Sequence, residues 1–429
     1  MPVSRWAKLG ELTSKLAGDA VAESVANALR SPVERLRAAK RAQQRRAEKL
    51  VSGLSKLKGA AMKLGQQAAL LASNLDLPDE VQEQLAKLHS QAEPVPWDVI
   101  QDALEAELGS SLDAFATIEE TPLGTASLAQ AHAATLQDGT AVVVKVLHHG
   151  IDESVEADLL AMKAIMGAGR LVGRGRDETQ DLFDELAEHL REELDYALEA
   201  DNLEMFGQRF ADDPRFDIPS VHRDLSTARV LTMGRVLGKP IGDFVAEASS
   251  EARHAAGRNL ADLFFESAFR HRVLHADPHP GNFLFAPDGR VGLLDFGCVK
   301  HFDEAWIGIY ARLVLAAVDG DRTGILDATR ELGAWTGDSP EAADVIVDFC
   351  DAVMAPLRDG PYTIGHEDRM LERVRPVTER MWQFAEIRGP RHLLFLHRTL
   401  GGLYTMMREL EVTEDWPVRM RPHLESAAR

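Results

Sequence analysis

At 429 residues the chain is too long for one simple core and is expected to form two lobes with appendages. Its 45% hydrophobic and 27% charged residues are those of a soluble globular protein, and a net charge of −20 argues against nucleic acid as a partner, because phosphate backbones would be repelled. Two cysteines, Cys298 and Cys350, argue against a disulfide framework, and no apolar run approaches the about 18–20 residues of a membrane span.

The first residues, Met1 to Trp6, carry no apolar signal core, and Glu11, Asp19 and Glu23 weaken a transit-peptide reading, so a cytoplasmic protein is expected. From Arg35 to Lys63 the chain is strongly basic, with Glu48 the one opposing charge. Such a helix either attaches peripherally to anionic lipid headgroups or is simply a solvated surface; the lack of large aromatic anchors favours the second. From Gly59 to Leu108 the spacing is helical, with Leu64, Ala68 and Leu71 on one face and Val81, Leu85 and Leu88 on another. Trp97 reads as an N-terminal staple or core residue.

The period then changes. Ser127 to Thr135, a Gln137-Asp138-Gly139-Thr140 turn and Ala141 to Leu147 predict two antiparallel strands. An acidic helix is predicted over roughly Asp177 to Phe206, a loop over Pro214 to Pro219, and further strands over Val221 to Val236. After Asp243 everything reads as helix except one hairpin, and Leu393, Leu394, Leu396, Leu400, Leu403 and Met407 mark a buried stripe near the end.

That hairpin carries the most informative residues. His275-Ala276-Asp277-Pro278-His279-Pro280-Gly281-Asn282 is followed by Asp295-Phe296-Gly297. An Asp with an Asn five residues on, then an Asp before Phe-Gly, is the arrangement used for phosphoryl transfer by kinase-fold enzymes: the first Asp addresses the acceptor, while the Asn and second Asp hold Mg²⁺. Phe283 to Phe285, a Pro287-Asp288-Gly289 turn and Val291 to Leu294 form the predicted hairpin, which would return both carboxylates to the same end of one sheet. A zinc or iron site using His275 and His279 is the alternative, but it leaves Asn282 and Asp295 without a role. Cys298 reads as a small packing residue.

Lys145, in a run of valines, is costly to bury without a counter-charge and is the candidate for contacting nucleotide phosphates; the alternative is an edge-strand lysine facing water. Its acidic partner is sought among Glu192, Glu193 and Glu199. In an unbroken helix Glu192, Asp195 and Glu199 share a face, and periodicity alone does not choose between the candidates. The loop expected to cover the nucleotide is Gly124-Thr125-Ala126-Ser127, with one glycine where protein kinases use three.

On these motifs the sequence resembles the UbiB family of atypical kinases, the aarF-domain kinases. Lys63-Leu64-Gly65-Gln66 matches the family's K-x-G-Q signature, Glu193-Leu194-Asp195 its E-x-D motif with Glu199-Ala200-x-Asn202 following, and His275 to Asn282 matches H-x-D-x-H-P-G-N. The resemblance implies an α+β, bilobal protein-kinase-like fold with a small β-sheet N-lobe, a helical C-lobe and an N-terminal K-x-G-Q extension. It implies that Lys63 meets Glu193 and Asp195, that these three with Gln66 belong to the cofactor-binding site, and that Glu199 orients Lys145. ATP or ADP with Mg²⁺ would be the cofactors, and isoprenoid quinones or related lipids the chemistry served at a membrane surface. Gly124 stands where the family often has the first alanine of A-x-A-S, and the chain reaches Arg429 without the membrane helices of some members.

The domain organisation expected is a basic helical segment over 1–56, the extension over 57–120, an N-lobe over 121–238, a C-lobe with the catalytic loop over 239–345 and its helical remainder over 346–429. The leading expectation is an ATP-dependent kinase or ATPase with Asp277, Lys145 and Glu199 as catalytic residues and a small-molecule or lipid acceptor. A nucleotide-gated lipid scaffold and a small-molecule phosphotransferase are the competing classes. Self-association is left open.

Overall fold

The computed structural model describes residues 94–126, 128–152, 155, 156, 159, 187, 188 and 190–429. The basic segment, the predicted helical faces from Leu64 to Leu88, Lys63, Gln66 and Ser127 lie outside these residues, as do residues 177–186 and 189 of the predicted helix from Asp177 to Phe206. In chain order the named elements are α1 (Trp97–Leu108), β1 (Phe115–Thr125), β2 (Ala129–Leu136), β3 (Ala141–Leu147), α2 (Tyr196–Arg209), β4 (Phe216–Asp217), β5 (Val230–Gly234), α3 (Ile241–Glu247), α4 (Ser250–Phe265), β6 (Val273–His275), β7 (Phe283–Phe285), β8 (Val291–Leu293) and β9 (Val299–His301). There follow α5 (Glu304–Asp319), α6 (Arg322–Glu331), α7 (Pro340–Met354), β10 (Tyr362–Ile364), α8 (Met370–Met381), α9 (Arg391–Leu410), β11 (Val412–Glu414) and α10 (Trp416–Ala427). The chain divides into two compact units. The first runs to Leu198 and includes Val221–Gly234; the second is Glu199–Ser220 with Arg235–Arg429.

The first unit is built on an antiparallel sheet of order β1-β2-β3-β5. Alternation along β3 sends Val142, Val144 and Val146 into a core with Ile100, Leu104 and Leu108 of α1, while Val143 and Lys145 take the other face. Because β3 is flanked by β2 and β5, Lys145 stands on an interior strand, opposite Ala131 and Leu231, and the edge-strand alternative does not hold. Gly139, at φ 87°, closes the β2–β3 turn where the sequence placed it. The long strand β1 was not anticipated. Its apolar alternation is interrupted by register shifts between Ile118 and Gly124, which disguise the period. Val221 to Val236 contains the single strand β5, preceded by a 3₁₀ turn at Arg223–Leu225, rather than several strands.

His132 of β2 is fully buried; its Nδ1–H donates to the Glu119 carbonyl at 2.8 Å and its Nε2 accepts from Gln130, which also bonds Val95 ahead of α1. This polar string ties the bulged part of β1 to the start of α1, with the Trp97 ring 5.3 Å from that of His132.

The second unit is mainly helical, but helix does not occupy everything after Asp243. Besides β7–β8, strand β6 pairs with β9 and β10 with β11, and Phe216–Asp217, within the predicted loop, adds as β4 in parallel to β8. These strands are two or three residues long, too short to show a period. On α9, Leu393, Leu396, Leu403 and Met407 are buried as expected, whereas Leu400 is exposed. Leu394 lies outside the described side chains. Arg215 binds Asp213, Asp262 and Glu266, and Arg419 binds Asp262 and Glu414, a half-buried network joining α4, the turn after it and α10. Gly257 of α4 packs so closely on β11 that a Cβ there would strike the Val412 side chain.

Burial holds the His132 imidazole below its usual pKa, against a smaller opposing effect of the Glu119 carbonyl. The unfolded chain therefore takes up this proton first, so the stabilisation is complete above about pH 6.5 and falls as the pH drops below it. Denaturant midpoints from pH 7.5 down to pH 5.5 should decline, and His132→Leu should flatten that decline; an unaltered slope would remove His132 from the account.

Candidate active site

In the second unit β6 delivers the chain into the loop Ala276–Asn282, and β7–β8 returns it to Asp295. A 3₁₀ turn at Pro280–Asn282, capped by the His279 ring accepting from Gly281 N, folds Asn282 back onto Asp277. The Asn282 amide donates to Asp277 Oδ2 at 2.8 Å and to the Asp277 carbonyl at 3.2 Å. Leu294 N donates to the Asn282 carbonyl at 3.0 Å, which places Asn282 and Asp295 at the open end of the hairpin, away from the Gly289 turn. Asp277 itself follows β6, whose partner is β9, and Asp295 follows β8, so the two carboxylates come after strands of different sheets, not the single sheet expected. Ala276 N, bonded to the Cys298 carbonyl at 2.9 Å, continues that β6–β9 pairing on either side of the site.

The Asp295-Phe296-Gly297 backbone is held group by group. His275 Nε2–H donates to the Asp295 carbonyl at 2.5 Å, Phe296 N donates to Glu199 Oε1 at 3.1 Å, and Asn202 donates to the Phe296 carbonyl at 3.0 Å. Gly297 N donates to Asp295 Oδ1 at 3.0 Å, turning that carboxylate into an Asx-type turn. The Phe296 ring is fully buried against Phe206 and His275. His275 Nε2 is thereby committed to the Asp295 backbone and is not open to the zinc or iron ion of the alternative reading. Cys298 is a buried thiol in the β9 approach, as its packing role requires.

Glu199 is almost wholly buried, 3% exposed, and one of its oxygens serves Phe296. The helix carrying it is not continuous with Glu192. Arg191 and Glu192 end one helical stretch, Glu193 and Leu194 form a turn, and Asp195 caps α2 by accepting from Ala197 N at 3.0 Å and Leu198 N at 3.2 Å. An aspartate satisfying a new helix's first N–H groups competes with continuing the old helix, so the one-face argument for Glu192, Asp195 and Glu199 fails. Glu193 and Asp195 belong to the first unit together with Lys145 and Gly124–Ala126. Gly124 lies in β1 opposite Ala131 with no positive φ, and a Cβ there would meet nothing within 4 Å, so the backbone does not itself demand glycine.

Sequence reading missed Arg398. Its Nη2 lies 3.5 Å from Asp277 Oδ1, both side chains being partly buried. One turn on, Gly402 presses against the same loop: a Cβ there would meet Pro278 Cβ and the Pro278 carbonyl, the latter at 2.9 Å. The available signal was the Gly401-Gly402 pair inside a helical pattern, which costs helix stability unless something packs against it.

A small antiparallel sheet unit and a mainly helical unit carrying an Asp–Asn pair beside Asp-Phe-Gly define a protein-kinase-like protein. A profile described as the ABC1 atypical kinase-like domain matches residues 87–329, and the chain belongs to that family, the UbiB or aarF atypical kinases. It is 32% identical over 365 residues to the "Atypical kinase COQ8B, mitochondrial" of Rattus norvegicus, covering 83% of this chain and 68% of that protein. To the "Atypical kinase COQ8, mitochondrial" of Saccharomyces cerevisiae it is 29% identical over 84% of this chain and 72% of the relative. Among solved structures, Rv3197 from Mycobacterium tuberculosis, determined in complex with erythromycin, matches with a TM-score of 0.64 and 28% identity over 90% of this chain and 97% of its own.

Replacing Asn202 by Leu should leave the buried Phe296 carbonyl without its donor and cost about 1–3 kcal/mol. Denaturant unfolding checks this, and an Asn202→Leu protein as stable as the parent would show that the bond contributes nothing. Gly402→Ala should cost about 1–3 kcal/mol by overpacking against Pro278, read as a lowered thermal midpoint.

Proposed function

We propose that the protein is a Mg²⁺- and ATP-dependent atypical kinase or ATPase acting on, or in support of, isoprenoid quinone or related lipid metabolism. The observation that carries this reading is the pairing of Asn282 with Asp277 beside a backbone-locked Asp295. The donor set fits Mg²⁺. The Asn282 NH₂ is spent on Asp277, which turns its amide oxygen to other use, and Asp295 adds a carboxylate. One or two such hard oxygens, with phosphates completing the shell, is how this ion is held at nucleotide sites. When bound, the ion neutralises phosphate charge.

In this reading Asn282 and Asp295 are the metal ligands, and Asp277 orients the acceptor hydroxyl or water and takes its proton. Lys145 serves the phosphates, and Glu199 both orients Lys145 and fixes the Phe296 backbone. Gly124, Thr125, Ala126 and Ser127 cover the nucleotide, while Lys63 and Gln66 act with Glu193 and Asp195. The reading places the protein in the cytoplasm, with peripheral association with an anionic lipid surface; among the described residues no helix is long and apolar enough to cross a membrane. The names of the mitochondrial COQ8 relatives support the atypical-kinase part of the reading.

Asp295→Asn should abolish Mg²⁺-dependent binding of ATP or ADP, measured by calorimetry with and without the ion, and wild-type affinity in the variant would refute the metal-ligand role. Asp277→Asn should keep nucleotide binding and lower turnover by about 10²–10⁴-fold. Phosphate release measured with and without anionic liposomes separates catalysis from nucleotide-gated scaffolding: no release in either condition favours the scaffold.

A further inference from the structure

Phosphoryl transfer places negative charge on the oxygens of the migrating group, and cationic side chains beside it supply much of the catalysis. The loop from Asp277 to Asn282, Asp-Pro-His-Pro-Gly-Asn, contains no lysine or arginine. In the second unit α9 brings one. Arg398 reaches Asp277 Oδ1 at 3.5 Å, with 18% and 29% of the two side chains exposed. This separation is longer than the about 2.7–2.9 Å of a tight charge-assisted hydrogen bond, so the planar fork is not locked onto the carboxylate. Asp277 Oδ2, by contrast, is engaged by Asn282 at 2.8 Å.

The helix that carries Arg398 is positioned with little tolerance. Arg398 and Gly402 are four residues apart and share a face of α9, and Gly402 lets the helix backbone approach Pro278, the residue after Asp277. Thr399 and Leu403, on the adjoining strip, line a small cavity with Pro278 and His275. The contact of Gly402 with Pro278 therefore fixes the depth at which the guanidinium enters, independently of the ion pair.

We propose that Arg398 is the cation of the phosphoryl-transfer site, pairing with Asp277 at rest and moving onto the transferred phosphoryl group during the reaction. This rests on the nucleotide-dependent reading given above. The acceptor oxygen, from water or an alcohol, forms a bond to the terminal phosphorus of ATP. The bond from that phosphorus to the bridging oxygen breaks, with its electron pair leaving on ADP. The acceptor proton passes to Asp277, whose Oδ1 is released when the guanidinium follows the developing charge. The exchange couples phosphate arrival to unmasking of the carboxylate, so that Asp277 is held by Arg398 only while no phosphoryl group is in place.

Arg398→Gln and Arg398→Lys test this through steady-state ATP turnover and through ADP–Mg²⁺ affinity with and without fluoroaluminate, a planar mimic of the migrating group. Arg398→Gln should bind ADP–Mg²⁺ within about threefold of wild type, lose about 10³-fold in kcat with little change in KM, and lose the tightening produced by fluoroaluminate. Arg398→Lys should recover part of both. Wild-type kcat in Arg398→Gln, or retained fluoroaluminate tightening, would overturn the proposal while leaving the kinase or ATPase reading intact. A structural clamp would lower the thermal midpoint and ADP affinity together, without a selective loss of fluoroaluminate binding, and that outcome also overturns it. Should Arg398→Gln fail to fold, Arg398→Lys decides: reduced kcat at unchanged KM supports the assignment and unchanged kcat overturns it. A wild-type protein that neither binds nor turns over ATP would remove the underlying reading as well.

Discussion

The second unit is organised around the need to pair the backbone groups from the Asp295 carbonyl to the Gly297 N–H. Phe296 is driven fully inside by its apolar ring, and its N–H and C=O go with it. Orphaned, each would cost about 1–3 kcal/mol, so partners must be supplied from elsewhere in the chain. Glu199 and Asn202, three residues apart on α2, take the two Phe296 groups, and His275 takes the Asp295 carbonyl. With the backbone so fixed, the Asp295 carboxylate has little freedom, and its Oδ1 closes on Gly297 N. Orientation of a charged side chain thus follows from satisfaction of neutral amides.

This constraint gives several residues double duty. Glu199 is proposed as the partner of Lys145 and also accepts from Phe296 N, so a change at Glu199 disturbs the Asp295-Phe296 backbone as well as any lysine contact. His275 holds Asp295 through one nitrogen and packs against Phe206, Phe283 and Phe296. Asn282 positions Asp277 through its NH₂ while its backbone carbonyl anchors Leu294. Side chains shared in this way make single substitutions non-additive, because removing one partner shifts another's geometry.

The β7–β8 hairpin was legible because its signals are local. Apolar Phe283 to Phe285 and Val291 to Leu293 flank a turn at Gly289, whose φ of 86° suits glycine, and β2–β3 is marked in the same way at Gly139. The break at Glu193–Asp195 is also a local event, but it was hidden: acidic residues spaced along a helix look the same whether they line its wet face or cap its successor. Leu400 kept the heptad-like spacing of its neighbours and still faces outward, because periodicity defines an apolar face more broadly than packing uses it. Short strands such as β4, β6 and β9 exist only through their partners, and two or three residues cannot announce them.

By itself the sequence determined the residue types of the site and their spacing, and hence the family, since H-x-D-x-H-P-G-N and Asp-Phe-Gly carry chemical identity without coordinates. It also determined the hairpin turns at Gly139 and Gly289, because the positive φ there suits glycine, whereas the positive φ of Arg272 and Glu411 carried no such signal. Only the tertiary structure decided that Glu199 and Asn202 hold Phe296 from about 95 residues away, and that Arg398 faces Asp277 from a helix 121 residues further on. The physical reason is that hydrogen bonds and ion pairs depend on distance in space. Local propensity acts over a few residues, and nothing in it records which remote side chain the fold brings alongside.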